Sequence, residues 1–330
     1  MVLLAGVANV SVCPKAGFAQ SAITLVGSGG TSPLPVFRAW EAEYNKSNSG
    51  VRMEYLPVDT RAGIAQILKS STDFGAGDTP LSSEQRAQGL MELPIMLIAL
   101  VPIYNLPGPA QEMRFSGKLL AEIYLGKIKN WDDPQIARLN PKASLPNLPI
   151  QVIYRSSGKG TNFIFTDFLS KTSPKFRDQV GRSISPAWPV GSSAERSADM
   201  ADKVKNEPGS IGYVALQYAR EKNIPFGSVM NAAGSFVKPS SETLAATCKA
   251  MEAPQWDKFS ASLTNAAGAG SYPITSFSWV YLRTASVDPR RKSALVNLLS
   301  WMLTEGQQSM PDGYFPLPRR LLAKVKSQIP

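Results

Sequence analysis

Three short stretches of this 330-residue chain put glycine, serine or threonine directly ahead of apolar runs with helical spacing: Gly29 to Ser32, Asp59 to Gly63, and Ser157 to Thr161. A helix start leaves backbone N–H groups without intrahelical partners and carries partial positive charge, so each stretch is a natural cradle for an oxyanion. Two charged residues sharpen the pattern. Arg155 stands just ahead of the third stretch and offers a charged, forked donor. Asp78 follows the run Gly75-Ala76-Gly77. A carboxylate there repels a fully ionised anion but accepts a hydrogen bond from one that still carries a proton. Taken singly, a Ser or Thr ahead of a helix is a cap, Asp78 a turn residue and Arg155 a surface ion-pair partner. Their company points to anion binding.

What the composition lacks narrows the chemistry further. There is no histidine, which removes the commonest general base and the Ser-His and Cys-His nucleophile pairs. Two cysteines, Cys13 and Cys248, cannot build a zinc site of the usual ligand types, although counting alone leaves a carboxylate site for magnesium or calcium open. The segment Gly158-Lys159-Gly160-Thr161 is not a nucleotide-binding P-loop, because Ile153 stands where the upstream glycine belongs and Gly160 where Ser or Thr should follow the lysine. No enzyme activity and no cofactor are expected. The formal charge of +10 favours anionic partners in general. The densest basic runs, Arg290-Arg291-Lys292 and Arg319-Arg320, read as solvated faces, and basic and aromatic residues are not interleaved as in single-strand binders, so no nucleic-acid partner is expected.

The elements that must carry these residues follow from periodicity. Ile23 to Val26 form a short apolar strand ahead of the first glycine-rich turn, and Val36, Phe37, Trp40 and Tyr44 make a helical stripe after it. Val51, Met53 and Tyr55 alternate as a half-buried strand, and Ile64, Ile67 and Leu68 follow Thr60 as the next helix. Ser82 and Gln85 are spaced as a capping box. Val152 to Tyr154 lead through Arg155 and the third turn to a helix carrying Phe163, Phe165, Phe168 and Leu169. Two longer apolar runs, Leu93 to Val101 and Ile274 to Leu282, suit buried strands that cross between lobes, with a closing helix over Ser293 to Leu303. The expected architecture is α/β in two lobes, with the first made of residues 20–98 and 275–330 and the second of residues 99–274. Ala266 to Gly270 reads as a loop.

The start of the chain reads as an export signal. A short apolar run from Val2 to Ala8 ends at Ala16-Gly17-Phe18-Ala19, with small residues suited to cleavage after Ala19, although the only early cation, Lys15, follows the apolar run instead of preceding it. No window reaches the roughly 18 apolar residues of a membrane span. The expected location is therefore the periplasm. Val10 to Cys13 resembles a lipoprotein box only weakly, and removal of residues 1–19 would leave Cys248 as the one cysteine.

In five segments the sequence resembles the periplasmic phosphate-binding proteins of bacterial ABC uptake systems: Gly27 to Pro33, Asp73 to Ser82, Tyr124 to Asp133, Gly160-Thr161, and Gly209 to Val214. The resemblance runs over nearly the whole mature chain. It implies a type II periplasmic-binding fold with two crossover strands and an interlobe cleft, which holds inorganic phosphate for delivery to an ABC permease and works as a monomer. Carried over by position, Thr31 and Ser32 supply donors from the first turn, Thr60 stands for a family serine, and Arg155 is the charged donor. Lys159, Gly160 and Thr161 complete the second-lobe side. Asp78 accepts the proton that phosphate keeps and sulfate lacks.

Two positions depart from the family pattern. Ser157 replaces an acid that usually follows the arginine, and Lys159 replaces a serine. Both changes predict a more positive site, which would broaden its anion choice or shift its pH dependence. Trp131, Lys127 and Lys129 are assigned to packing and surface. A protein of the same fold for another oxyanion, or for a phosphorylated organic ligand, is the alternative.

Overall fold

The computed structural model describes residues 22–108, 112–250, 259, 261–285 and 288–329. The N-terminal segment read as an export signal, with Cys13 and Lys15, lies outside them. The chain begins β1 (Ile23–Gly29), α1 (Leu34–Ser47), β2 (Val51–Pro57), α2 (Thr60–Leu68), β3 (Phe74–Gly77), α3 (Ser83–Ala87) and the long β4 (Leu90–Tyr104). The middle section holds β5 (Arg114–Phe115), α4 (Gly117–Tyr124), α5 (Pro134–Leu139), β6 (Gln151–Arg155), α6 (Gly160–Thr172), α7 (Pro174–Gln179) and β7 (Ser192–Ala194). It continues through α8 (Ser197–Asn206), β8 (Ser210–Ala215), α9 (Leu216–Glu221), β9 (Ser228–Met230), β10 (Phe236–Val237) and α10 (Ser241–Lys249). The end is β11 (Thr275–Arg283), α11 (Pro289–Met302), β12 (Tyr314–Phe315) and α12 (Arg319–Lys326).

One mixed sheet runs in the order β2-β1-β3-β11-β4-β8-β6-β7, with β12 also on β4, and β10-β9-β5 form a smaller one. Its two wings are parallel: β1 pairs with β2 and β3, and β6 with β7 and β8. Between them the antiparallel strands β4 and β11 make the bridge. From Leu90 to Ala99, β4 pairs with β11; from Leu100 onward it pairs with β8. A register shift in β11 falls between Ser278 and Trp279. The two apolar runs of crossing type are these strands, mainly apolar because both faces are covered, with Glu92 in β4 and Thr275, Ser276 and Ser278 in β11 as buried polar exceptions.

Each wing has its own aromatic core. Phe37 on α1 stacks on Tyr55 of β2 with centroids 4.1 Å apart, and Phe165 on α6 stacks on Tyr213 of β8 at 4.0 Å. The stripe of α1 buries the face that periodicity assigned to it; on α6 Phe165, Phe168 and Leu169 are buried, while Phe163 is only half-buried with the Arg182 guanidinium over its ring. At Gly63 a side chain would stand 2.7 Å from Gly29 Cα and the Ser28 carbonyl, so its absence lets α2 lie directly against the end of β1. The closing helix begins at Pro289, four residues earlier than its apolar stripe suggests, because Asp288 caps it by accepting from the Arg290 and Arg291 amides. Trp131 is packed as expected, fully buried with Nε1 donating to the Gly209 carbonyl, and Lys127 and Lys129 are exposed. Residues 266–270 are irregular.

Candidate functional site

Parallel strands of one wing point their C-terminal ends the same way, and here both wings point theirs at one place. From β1 the chain turns through Thr31 and Ser32 into α1; from β2 it enters α2, capped by Asp59 Oδ1 on the Ala62 amide at 2.7 Å. From β3 it reaches Asp78, and from β6 it passes Arg155 and enters α6 at Gly160. Thr31, Ser32, Thr60, Arg155, Lys159, Gly160 and Thr161 line one small cavity of ≈ 10 Å³. Size does not single it out, since hollows of ≈ 460 Å³ beside Arg114 and ≈ 470 Å³ beside Phe163 and Trp279 are larger. The convergence of helix starts on a buried arginine does.

Arg155 is 2% exposed. Its Nη1 donates to Ser197 Oγ at 2.8 Å and Thr161 Oγ1 at 3.4 Å, and its Nη2 to Thr31 Oγ1 at 3.2 Å and the Glu195 carbonyl at 2.8 Å. Nε reaches the Ala194 carbonyl at 3.3 Å. All of these acceptors are neutral oxygens, so the guanidinium is held in place while its charge stays available to an anion. Burial lowers its pKa from the ordinary value, with nearby acidic groups, Tyr213 first, acting against that. An arginine remains charged all the same.

Asp78 lies directly behind the cavity, fully buried. Its Oδ2 accepts from Ser32 Oγ and its Oδ1 from Ser278 Oγ at 2.8 Å. Burial pushes its carboxyl up to about 6, while the two hydroxyls and the Arg155 charge pull it back down. At neutral pH it is mainly the ionised, acceptor-only form. Thr60 Oγ1, by contrast, is buried with no hydrogen-bond partner. Such a hydroxyl costs stability unless something comes to meet it. Gly160 and Thr161 are the first two residues of α6, where amides have no intrahelical acceptor.

Lys159 also borders the cavity, but it faces two carboxylates. Its ammonium pairs with Glu195 Oε1 and lies 3.5 Å from Asp59 Oδ2, and its amide donates to the Ile184 carbonyl at 3.2 Å. The charge expected to make the site more positive is thus offset on the spot. The acid missing at Ser157 has a counterpart in Glu195, which arrives from the loop after β7. Ser157 itself accepts from Arg61 Nη2 at 3.1 Å.

Sequence reasoning missed Glu195, Ser197 and Ser278. Ser197 opens α8 ahead of Met200, Ala201 and Val204, the same serine-before-helix signal that marked the other turns. Ser278 carried no signal, since Thr275 and Ser276 are small hydroxyl residues in the same mainly apolar strand.

Two parallel wings joined by a pair of long strands, with a buried, donor-rich cleft between them, define a two-lobed solute-binding protein. Comparison with known proteins agrees. A PBP superfamily domain matches residues 15–305. A phosphate-binding protein PstS of Haemophilus influenzae is 37% identical over 314 residues, covering 94% of this chain and 93% of its own. Another PstS, from Pasteurella multocida, is 36% identical, covering 92% and 89%. Among solved structures, a high-affinity periplasmic phosphate-binding protein (PfluDING) bound with phosphate shares the fold with a TM-score of 0.72 at 18% identity, covering 92% of this chain and 93% of that one. The phosphate-binding protein of Stenotrophomonas maltophilia does so with a TM-score of 0.68 at 16% identity, covering 93% and 94%. The chain belongs to the PstS phosphate-binding protein family, within the PBP superfamily.

Proposed function

We propose that this protein binds inorganic phosphate between its lobes in the periplasm and delivers it to an ABC permease. The observation that carries the reading is a buried, unpartnered Thr60 hydroxyl in the same cavity as a guanidinium bonded only to neutral oxygens. Both are groups that a tetrahedral oxyanion completes. The names of the PstS relatives support phosphate as the ligand and import as the setting. No described helix is long and apolar enough to cross a membrane.

In this reading the hydroxyls of Thr31, Thr60 and Thr161 and the backbone amides of Thr31, Ser32, Gly160 and Thr161 donate to phosphate oxygens, the Ser32 hydroxyl being committed to Asp78, and Arg155 supplies the charge. Lys159 shapes the rim. Asp78 accepts the ligand's proton, so a fully deprotonated oxyanion such as sulfate meets a carboxylate with nothing to share. The lobes are residues 20–98 with 275–330, and residues 99–274, a division supported by the change of β4 partners between Ala99 and Leu100. The role is binding, and release follows from reopening of the lobes, with no covalent step.

Calorimetric titration of the protein from residue 20 onward tests this. Phosphate should bind at neutral pH, and sulfate about a hundredfold or more weaker, the cost of roughly 3 kcal/mol for burying one acceptor against another. Equal affinities, or no heat with phosphate, would overturn it.

A further inference from the structure

Three tyrosine hydroxyls reach the turn between β1 and α1, each from a different element, and each takes one carbonyl. Tyr55 of β2 donates to the Gly30 carbonyl at 2.9 Å, Tyr218 of α9 to the Thr31 carbonyl at 2.6 Å, and Tyr314 of β12 to the Ser32 carbonyl. All three side chains are buried. Burial raises the pKa of every one, with Asp78 adding to the effect, so each stays a protonated donor. Three consecutive carbonyls are thus claimed by side chains that do not themselves line the cavity bordered by Thr31 and Ser32.

A trans peptide unit is planar, and its C=O and N–H point in opposite directions. Fixing the Gly30 carbonyl fixes the Thr31 N–H, and fixing the Thr31 carbonyl fixes the Ser32 N–H. We infer that Tyr55 and Tyr218 are positioning residues for the anion, each aiming one backbone amide of the turn into the cleft through the carbonyl it holds. The Ser32 carbonyl precedes Pro33, which has no N–H, so Tyr314 serves instead to anchor the entry to α1.

The two positioning residues differ in where they come from. Tyr55 sits in the same wing as the turn, whereas Tyr218 is carried by α9, whose chain neighbour β8 belongs to the other wing. The Ser32 amide is therefore aimed only when the wings are together. The donor set is completed by closure itself, which couples ligand affinity to the closed state. This inference rests on the phosphate reading above and deepens it.

The test is a phosphate titration of wild type, Tyr218→Phe and Tyr55→Phe, followed by amide nitrogen and proton NMR shifts and by calorimetry, with thermal unfolding as a control. Tyr218→Phe should weaken phosphate about tenfold, as expected for one freed buried carbonyl, and shrink the phosphate-induced shift at the Ser32 amide while sparing Thr31. Tyr55→Phe should show the reverse pattern. A purely structural role would lower the unfolding temperature and disturb both amides alike, and that outcome overturns the inference. So would wild-type affinity in Tyr218→Phe. If wild type itself shows no response to phosphate, the functional reading fails and takes this one with it.

Discussion

A Cβ placed on Gly160 would stand 2.9 Å from both the Cβ and the amide nitrogen of Asp78, although 82 residues and the width of the cleft separate them in the chain's course. The start of α6 is therefore pressed against the residue proposed to read the ligand's protonation. Even a methyl group forces the two apart. Gly160→Ala should weaken phosphate binding by about ten- to a hundredfold, matching the 1–3 kcal/mol typical of overpacking. Calorimetry would show it, and unchanged affinity would mean the closed cleft is looser than described.

Asp78→Asn replaces a pure acceptor with a side chain that can also donate. Sulfate binding should then gain about tenfold or more, and the preference for phosphate should shrink. In the wild type the same narrowing should appear as pH falls through about 6, where Asp78 takes up its proton. Competition titrations at pH 5 and pH 8 would measure both.

The raised carboxyl of Asp78 also has a stability sign. Its folded pKa of about 6 lies above the unfolded value of about 4, so between these limits the folded state holds more protons and stability falls as pH rises. Above roughly pH 7 the effect is complete and flat. The unfolding temperature of wild type minus that of Asp78→Asn, followed from pH 4 to pH 8 without ligand, isolates this term from other carboxylates. The difference should decrease up to about pH 7 and then level off.

Arg155→Lys keeps the charge but not the fork. A lysine cannot hold Ser197 Oγ, Thr31 Oγ1 and the Glu195 carbonyl together while presenting a planar face to an anion. Phosphate affinity should fall about a hundredfold, which titration calorimetry can follow, while far-ultraviolet circular dichroism stays unchanged.

Cys248 on α10 is buried, and burial pushes its thiol up to about 12. It should resist thiol-specific reagents in the folded protein and react fully in denaturant. The rate of modification then gives an optical readout of opening around α10.

Much of the cavity lining was legible because helix starts advertise themselves locally. Gly, Ser and Thr ahead of an apolar stripe mark Thr31, Thr60 and Thr161 without any knowledge of packing. The crossing strands were legible for a similar reason, since an apolar run covered on both faces needs no partner to be recognised. Contacts set by strand order were hidden. Glu195 and Ser197 meet Arg155 because β7 lies beside β6, and Ser278 meets Asp78 because β11 lies beside β3. Neither adjacency is written in residue spacing. Lys159 shows the limit from the other side, since its position was identified but its direction depends on two acids far along the chain.

The pairing of Lys159 with Asp59 and Glu195 gives the cleft a fastening that ions in solution can reach. Asp59, 24% exposed, lies on one side of the gap, and Lys159 with the outward-facing Glu195 lies on the other. Screening by added electrolyte loosens such a pair while leaving the buried Arg155 and Asp78 nearly untouched. Phosphate dissociation in stopped-flow should therefore quicken with salt, and Lys159→Ser should flatten that response.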